Sequence, residues 1–181
     1  MVYDRMSNTP ANAVLSEPKR VIAGLDTKVE FNCGLYVDPR TGDIYSINND
    51  TIDTMVVFSR NAKGNVRPNR ELSTPHRAYG IAVDEHSQEL FLTIQDPPMV
   101  VVHHKDAKGE AEPIRVLRGN KTGLRDAHGI GLDTKNGLMF VGRFCRYTVE
   151  PCRLALRGGK LPRPRWVGRS SLRLHTRSLC A

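Results

Sequence analysis

Three times in this chain a glycine leads a short apolar strand, a polar turn and a second apolar strand. The first instance is Gly34-Leu35-Tyr36-Val37-Asp38 followed by Ile44-Tyr45-Ser46-Ile47. The second is Gly80-Ile81-Ala82-Val83-Asp84 followed by Leu90-Phe91-Leu92-Thr93-Ile94. The third is Gly129-Ile130-Gly131-Leu132-Asp133 followed by Leu138-Met139-Phe140-Val141. The lead glycines at 34, 80 and 129 stand 46 and 49 residues apart. A period of this size marks a repeat architecture, in which each repeat buries its apolar face on its neighbours.

Residues 34–73 read as one complete repeat of four strands, at Leu35–Val37, Ile44–Ile47, Met55–Phe58 and Arg70–Leu72. Each is short, β-branched or aromatic, and bounded by Gly, Pro, Asn or Asp. The turn Asp38-Pro39-Arg40-Thr41-Gly42-Asp43 has reversal chemistry, with proline presetting φ early and glycine permitting positive φ late. Residues 80–119 form a second complete repeat. Its Val100-Val101-Val102 run suits a strand covered on both faces, and Gln95-Asp96-Pro97-Pro98 before it reads as a loop. Ala-Lys-Gly recurs at 62–64 and 107–109, between the third and fourth strands of each.

Residues 1–24 match the outer half of a repeat. Val2-Tyr3-Asp4-Arg5 aligns with Val57-Phe58-Ser59-Arg60 and Val102-His103-His104-Lys105. Residues 129–142 match an inner half. The expected fold is therefore all-β, a partial β-propeller of four-stranded antiparallel blades over 1–142, about two and a half blades in all, with an irregular basic tail over 143–181. On this reading the chain is a fragment of a longer protein, or folds by pairing with another copy through open blade edges.

The tail carries the charge. The chain is +8 overall, while residues 143–181 hold ten Lys or Arg against the single acid Glu150, which leaves 1–142 at −1. The basic balance thus argues against nucleic-acid binding by the repeats. The tail has no Asp, Asn, Ile or Gln, and where a third strand is due it offers Thr148-Val149-Glu150-Pro151. Two readings stand: translation out of frame after about Gly142, or a solvated basic tail able to bind phosphates. No apolar run reaches about 18 residues, so no membrane span is expected. Met1-Val2-Tyr3-Asp4-Arg5 carries acid and base together with no apolar run after it, so no signal peptide is expected there. Cys33 is the one thiol of the repeats and reads as a small buried hydrophobe; no Cys-x-x-Cys pair suggests zinc.

The pattern Gly-Ile-x-(Val/Leu)-Asp, a polar turn, then Leu-(Phe/Met)-(Leu/Phe)-(Thr/Val) at 80–93 and 129–141 resembles the NHL-repeat family of β-propellers. The strand ending in a basic residue, Val57-Phe58-Ser59-Arg60, is similar to that family too. The resemblance covers 1–142 and departs from the pattern where Asp50 and Asp96 come later than the acid that usually closes strand two. It implies a ring of about six blades, a non-enzymatic module binding a protein or small ligand at the channel face, and relatives that are often exported, so localisation stays open.

The resemblance also places functional groups on the loops entering strand one and leaving strand two. Among these His76, Arg77, Tyr79, Arg125, Asp126 and His128 enter, and Asn48, Asp50, Gln95 and Asp96 exit. The alternative it implies is a metal-dependent lyase or lactonase-type hydrolase, with Ca2+ or Zn2+ near His76 and His128. The plainer reading has both histidines as loop residues bonded to backbone. His103 and His104 face opposite sides of a strand, which argues against a shared metal. No Gly-x-Ser-x-Gly, Walker or His-Glu-x-x-His motif occurs. Asp38, Asp84 and Asp133 recur in every repeat and are expected to bind turn amides.

Overall fold

The computed structural model describes residues 1–143. The tail assigned from sequence to 143–181 lies outside the described residues except for Arg143, which ends the last strand opposite Ala127. The described chain is all-β, built of antiparallel four-stranded sheets that do not close on themselves. Strands β1 (Asn32–Val37), β2 (Ile44–Asn48), β3 (Thr54–Phe58) and β4 (Arg70–Ser73) form one meander. Strands β5 (Ala78–Asp84), β6 (Glu89–Ile94), β7 (Met99–His104) and β8 (Arg115–Arg118) form a second, and β9 (Ala127–Asp133) with β10 (Leu138–Arg143) a hairpin. The strands expected within residues 34–141 are present, most of them longer by one to three residues, whereas the outer half expected over residues 1–24 forms only isolated bridges, Val2 to Arg20 and Ile22 to Gly64.

The core lies between the two complete sheets. Tyr45, Ile47, Met55, Val57 and Leu72 of the first pack against Leu90, Leu92, Ile94 and Val101 of the second. Fully burying an aliphatic side chain contributes about 1.5–3 kcal/mol, so this sheet-on-sheet contact is strongly stabilising. The first strands β1, β5 and β9 lie side by side, and their approach explains two of the lead glycines. A Cβ on Gly34 would fall 2.6 Å from the Tyr79 carbonyl oxygen, and one on Gly80 2.1 Å from that of His128. Only glycine allows backbone to come so near.

A second junction ties the outer strands together. Gly64 donates its N–H to Val21 and accepts from Ala23, and Gly109 repeats this with Glu71 and Ser73. Both glycines have positive φ, 72° and 59°, which accounts for the recurring Ala-Lys-Gly. The half-repeat at the N-terminus obeys the same geometry. Val2 faces Arg20 as Val57 faces Arg70 and Val102 faces Arg115.

Among the described residues two faces of the array are uncovered. Leu35 and Val37 on β1 are 63% and 57% exposed, whereas Ile81 and Val83, their equivalents on β5, are half-buried by the strand on either side. Leu72 is fully buried beneath the loop that carries Gly109, while its equivalent Leu117 is 42% exposed. Cys33 is exposed rather than buried, because it too lies on the open side of β1. The sequence placed it inside by residue type; among the described residues no strand covers that side of β1.

Candidate functional site

The loops entering strand one and leaving strand two meet at one end of the sheets, and the second and third repeats together form a polar cleft there. Arg77, Gln95, Asp96, Pro98, Arg125 and Asp126 line about 350 Å³. Arg77 and Asp126 occupy equivalent positions, one residue before β5 and β9, and both have left-handed backbone, φ 62° and 46°. That conformation costs a side-chain-bearing residue roughly 1 kcal/mol, and the ladder bond from Gln95 N–H to the Arg77 carbonyl, 3.0 Å, holds it in place. The Arg77 guanidinium lies 3.5 Å from Asp96 Oδ2 and 3.8 Å from Asp50 Oδ1. Gln95 Nε2 donates to Asp126 Oδ1 at 2.5 Å, bridging the two repeats.

The histidines sit elsewhere. His76 Nδ1 is 2.9 Å from Asp53 Oδ1, on the exposed connection between the first two sheets. His128 packs edge-to-face on Tyr79, ring centroids 4.0 Å apart, with Nδ1 3.1 Å from the Asp126 carbonyl oxygen. The two rings thus have separate partners, and among the described residues no group of three or more His, Cys, Asp or Glu is arranged to hold a metal ion. The nearest acid is Asp53 for His76 and Asp126 for His128. Asn48 does not reach the cleft at all. It is fully buried, its amide donating to the Lys28 carbonyl at 2.7 Å and to Thr54 Oγ1 at 3.0 Å while accepting from Glu30 N–H at 3.0 Å.

At the opposite end of the strands lies a cluster that motif reading missed. Lys105, just past β7, is buried with its Nζ 2.6 Å from Asp38 Oδ2 and 2.6 Å from Glu85 Oε1. Asp38 also accepts the N–H groups of Arg40 and Thr41 at 2.7 and 3.1 Å. Its equivalents do the same turn work, Asp84 with His86 and Ser87, and Asp133 with Asn136. Burial alone raises the Asp38 carboxyl, but the Lys105 ammonium and the two amides outweigh it and hold the group well below the ordinary carboxylate range. Glu85 follows the same balance, and its carboxylate accepts the Tyr36 hydroxyl, which burial first and that carboxylate second push far above its usual value. The signal was present in sequence, since the third strands end in Arg60 and Lys105. What they pair with was not.

A larger cleft of about 410 Å³ borders this cluster, between Arg40, Arg70, Gln88 and His104. Its central groups, Lys105 with Asp38 and Glu85, are buried and already bound to one another, so it has less to offer a ligand than the Arg77–Arg125 cleft. Among the described residues no helix is long and apolar enough to cross a membrane. No protein-family model matches this chain, and no curated protein does either. The likeness to NHL repeats therefore rests on the residue pattern itself.

Proposed function

We propose that this chain is a non-enzymatic binding module, an arc of a β-propeller of the NHL-repeat kind, that takes its ligand at the loops entering strand one. One observation carries this reading. Arg77, Gln95, Asp96, Arg125 and Asp126, which come from two successive repeats, line a single polar cleft. Two guanidinium groups beside two carboxylates suit a zwitterionic or amide-rich ligand such as a short peptide, because each end of such a molecule finds an opposite charge. Backbone strain at Arg77 and Asp126 supports the reading as well, since left-handed side-chain-bearing residues gather at functional loops. The hydrolase alternative has less behind it, because His76 and His128 engage different acids and do not converge.

The test is an NMR titration of the isotopically labelled full chain with amino acids and short peptides. Shifts confined to 77, 95–98 and 125–126, and lost in Arg77→Ala with Arg125→Ala, are expected. Shifts scattered over the surface, or none with any member of the set, would remove the reading. Addition of zinc or calcium is expected to leave the melting temperature unchanged; a rise of several degrees would restore the hydrolase alternative.

A further inference from the structure

The array carries a half-sheet at each end, and the two halves are complementary. Val2 and Arg20–Ile22 stand where the outer strands β3 and β4 stand in a complete sheet, as the facing of Val2 with Arg20 and the bridge from Ile22 to Gly64 establish. Strands β9 and β10 are the inner pair, equivalent to β1 and β2. We infer that two copies of this chain join head to tail, the β9–β10 half-sheet of each completing the Val2–Ile22 half-sheet of the other, so that two copies close a ring of six sheets. The number six rests on the propeller reading above; the head-to-tail contact does not.

Four relationships in the first and second repeats fix what this junction must look like, and each finds its missing half at the open ends. Tyr45 faces Val57 and Phe91 faces Val102 across the middle of each sheet; by the same register Phe140 faces Val2 of the second copy. Gly34 and Gly80 each lie against a carbonyl of the next first strand, whereas Gly129 has nothing within 4 Å among the described residues. The Cys33 carbonyl of the second copy is the equivalent group. Leu35 and Val37 are exposed where Ile81 and Val83 are half-buried, and β9 of the second copy is the strand that would cover them.

The fourth relationship is charge. In the first and second repeats Lys105 reaches back to Asp38, at 2.6 Å. The equivalent cations are Arg60 and Arg5, and the equivalent acids are Asp84 and Asp133. Within one chain none of these four takes part in an ion pair among the described residues. Head-to-tail joining sets Arg60 against Asp133 of one neighbour copy and Arg5 of that neighbour against Asp84, two cations for two acids. A heterologous contact closes into a ring when its rotation allows and otherwise runs on as a filament.

The experiment is native mass spectrometry and light scattering of the full chain across a range of micromolar concentrations. A dimer is expected. Arg60→Glu alone and Asp133→Arg alone should each weaken it by at least about tenfold, and the two together should restore it, as expected for a charge pair buried in an interface. Circular dichroism melts of each variant confirm that the chains are folded. A folded monomer at every concentration, or a dimer that ignores the single substitutions and the combined one alike, overturns the second copy as the cover for these faces while leaving the cleft reading to its own titration. Open-ended polymers with the same charge-swap signature overturn the closed ring, and with it the propeller reading.

Discussion

Lys105 and Asp38 belong to different sheets, 67 residues apart in sequence, yet their side chains meet at 2.6 Å with both nearly inaccessible to solvent. This pair locks the turn after β1 to the end of β7, beside the Glu85 carboxylate that Lys105 also holds. Replacing Lys105 by methionine leaves two carboxylates facing each other with no cation between them. A loss of about 3 kcal/mol in urea denaturation is expected, the usual scale for breaking a buried pair on one side. A loss under about 0.5 kcal/mol, the scale of a surface ion pair, would mean that solvent already screens the cluster.

The same cluster sets a pH window. Asp38 and Glu85 have folded-state values below their unfolded ones, so their contribution is complete above about pH 5 and is lost as pH falls through the folded values. Lys105 is raised, burial opposing and the two carboxylates prevailing; its contribution is complete below about pH 10 and is lost as pH rises beyond that. Denaturation midpoints should therefore fall away on both sides of neutrality, and Lys105→Met should flatten both limbs. A mutant with the wild-type acid slope would show that other carboxylates govern acid unfolding.

His103 occupies the place that Phe58 fills in the first repeat, opposite Leu90 as Phe58 is opposite Ile44. It is buried, and neither ring nitrogen makes a hydrogen bond of normal geometry. Burial pushes its imidazole below the ordinary value, with Glu112 and the Ala111 backbone pulling the other way. A histidine held neutral in this manner costs stability as pH falls below the unfolded value of about 6.5. His103→Phe should stabilise by about 1 kcal/mol at pH 7 and abolish the decline between pH 7 and 5. A destabilised variant would mean that the imidazole has a polar partner worth keeping.

Gly80 and Gly129 are equivalent in sequence and opposite in surroundings. Alanine at 80 would set its Cβ 2.1 Å from the His128 carbonyl oxygen and 2.7 Å from Thr93 Oγ1, which itself donates to that carbonyl at 2.6 Å. A cost of about 3 kcal/mol, the upper part of the range for overpacking, is expected. Gly129→Ala meets nothing within 4 Å among the described residues of a single chain and should leave the monomer's unfolding free energy within about 0.5 kcal/mol. Equal effects from the two substitutions in melts of the monomeric chain would contradict the placement of β9 beside β5.

Arg77 offers a separation of stability from binding. Its ion pairs with Asp96 and Asp50 are long and solvent-exposed, and such pairs contribute about 0–1 kcal/mol. Relief of its left-handed backbone by glycine is worth roughly as much. Arg77→Gly should hold or raise the melting temperature while removing ligand shifts in the cleft. A large fall in melting temperature would assign Arg77 to the scaffold instead.

Local sequence was enough for most of the strands and their antiparallel four-stranded sheets, because strand, turn and breaker residues act over a few positions and recur at a fixed period. It also pointed to the loops where Arg77, Gln95, Asp96, Arg125 and Asp126 come together. Tertiary structure alone decided which charges meet. Arg60, Lys105, Asp38 and Asp84 look alike as letters, but only Lys105 and Asp38 have each other within reach, since pairing depends on which repeat stands beside which. Burial followed the same rule: Leu72 and Leu117, or Gly80 and Gly129, share a place in the period and differ in exposure or crowding because one of each has a neighbour and the other faces solvent. A period dictates what each repeat can form; the contact between repeats dictates what each residue does.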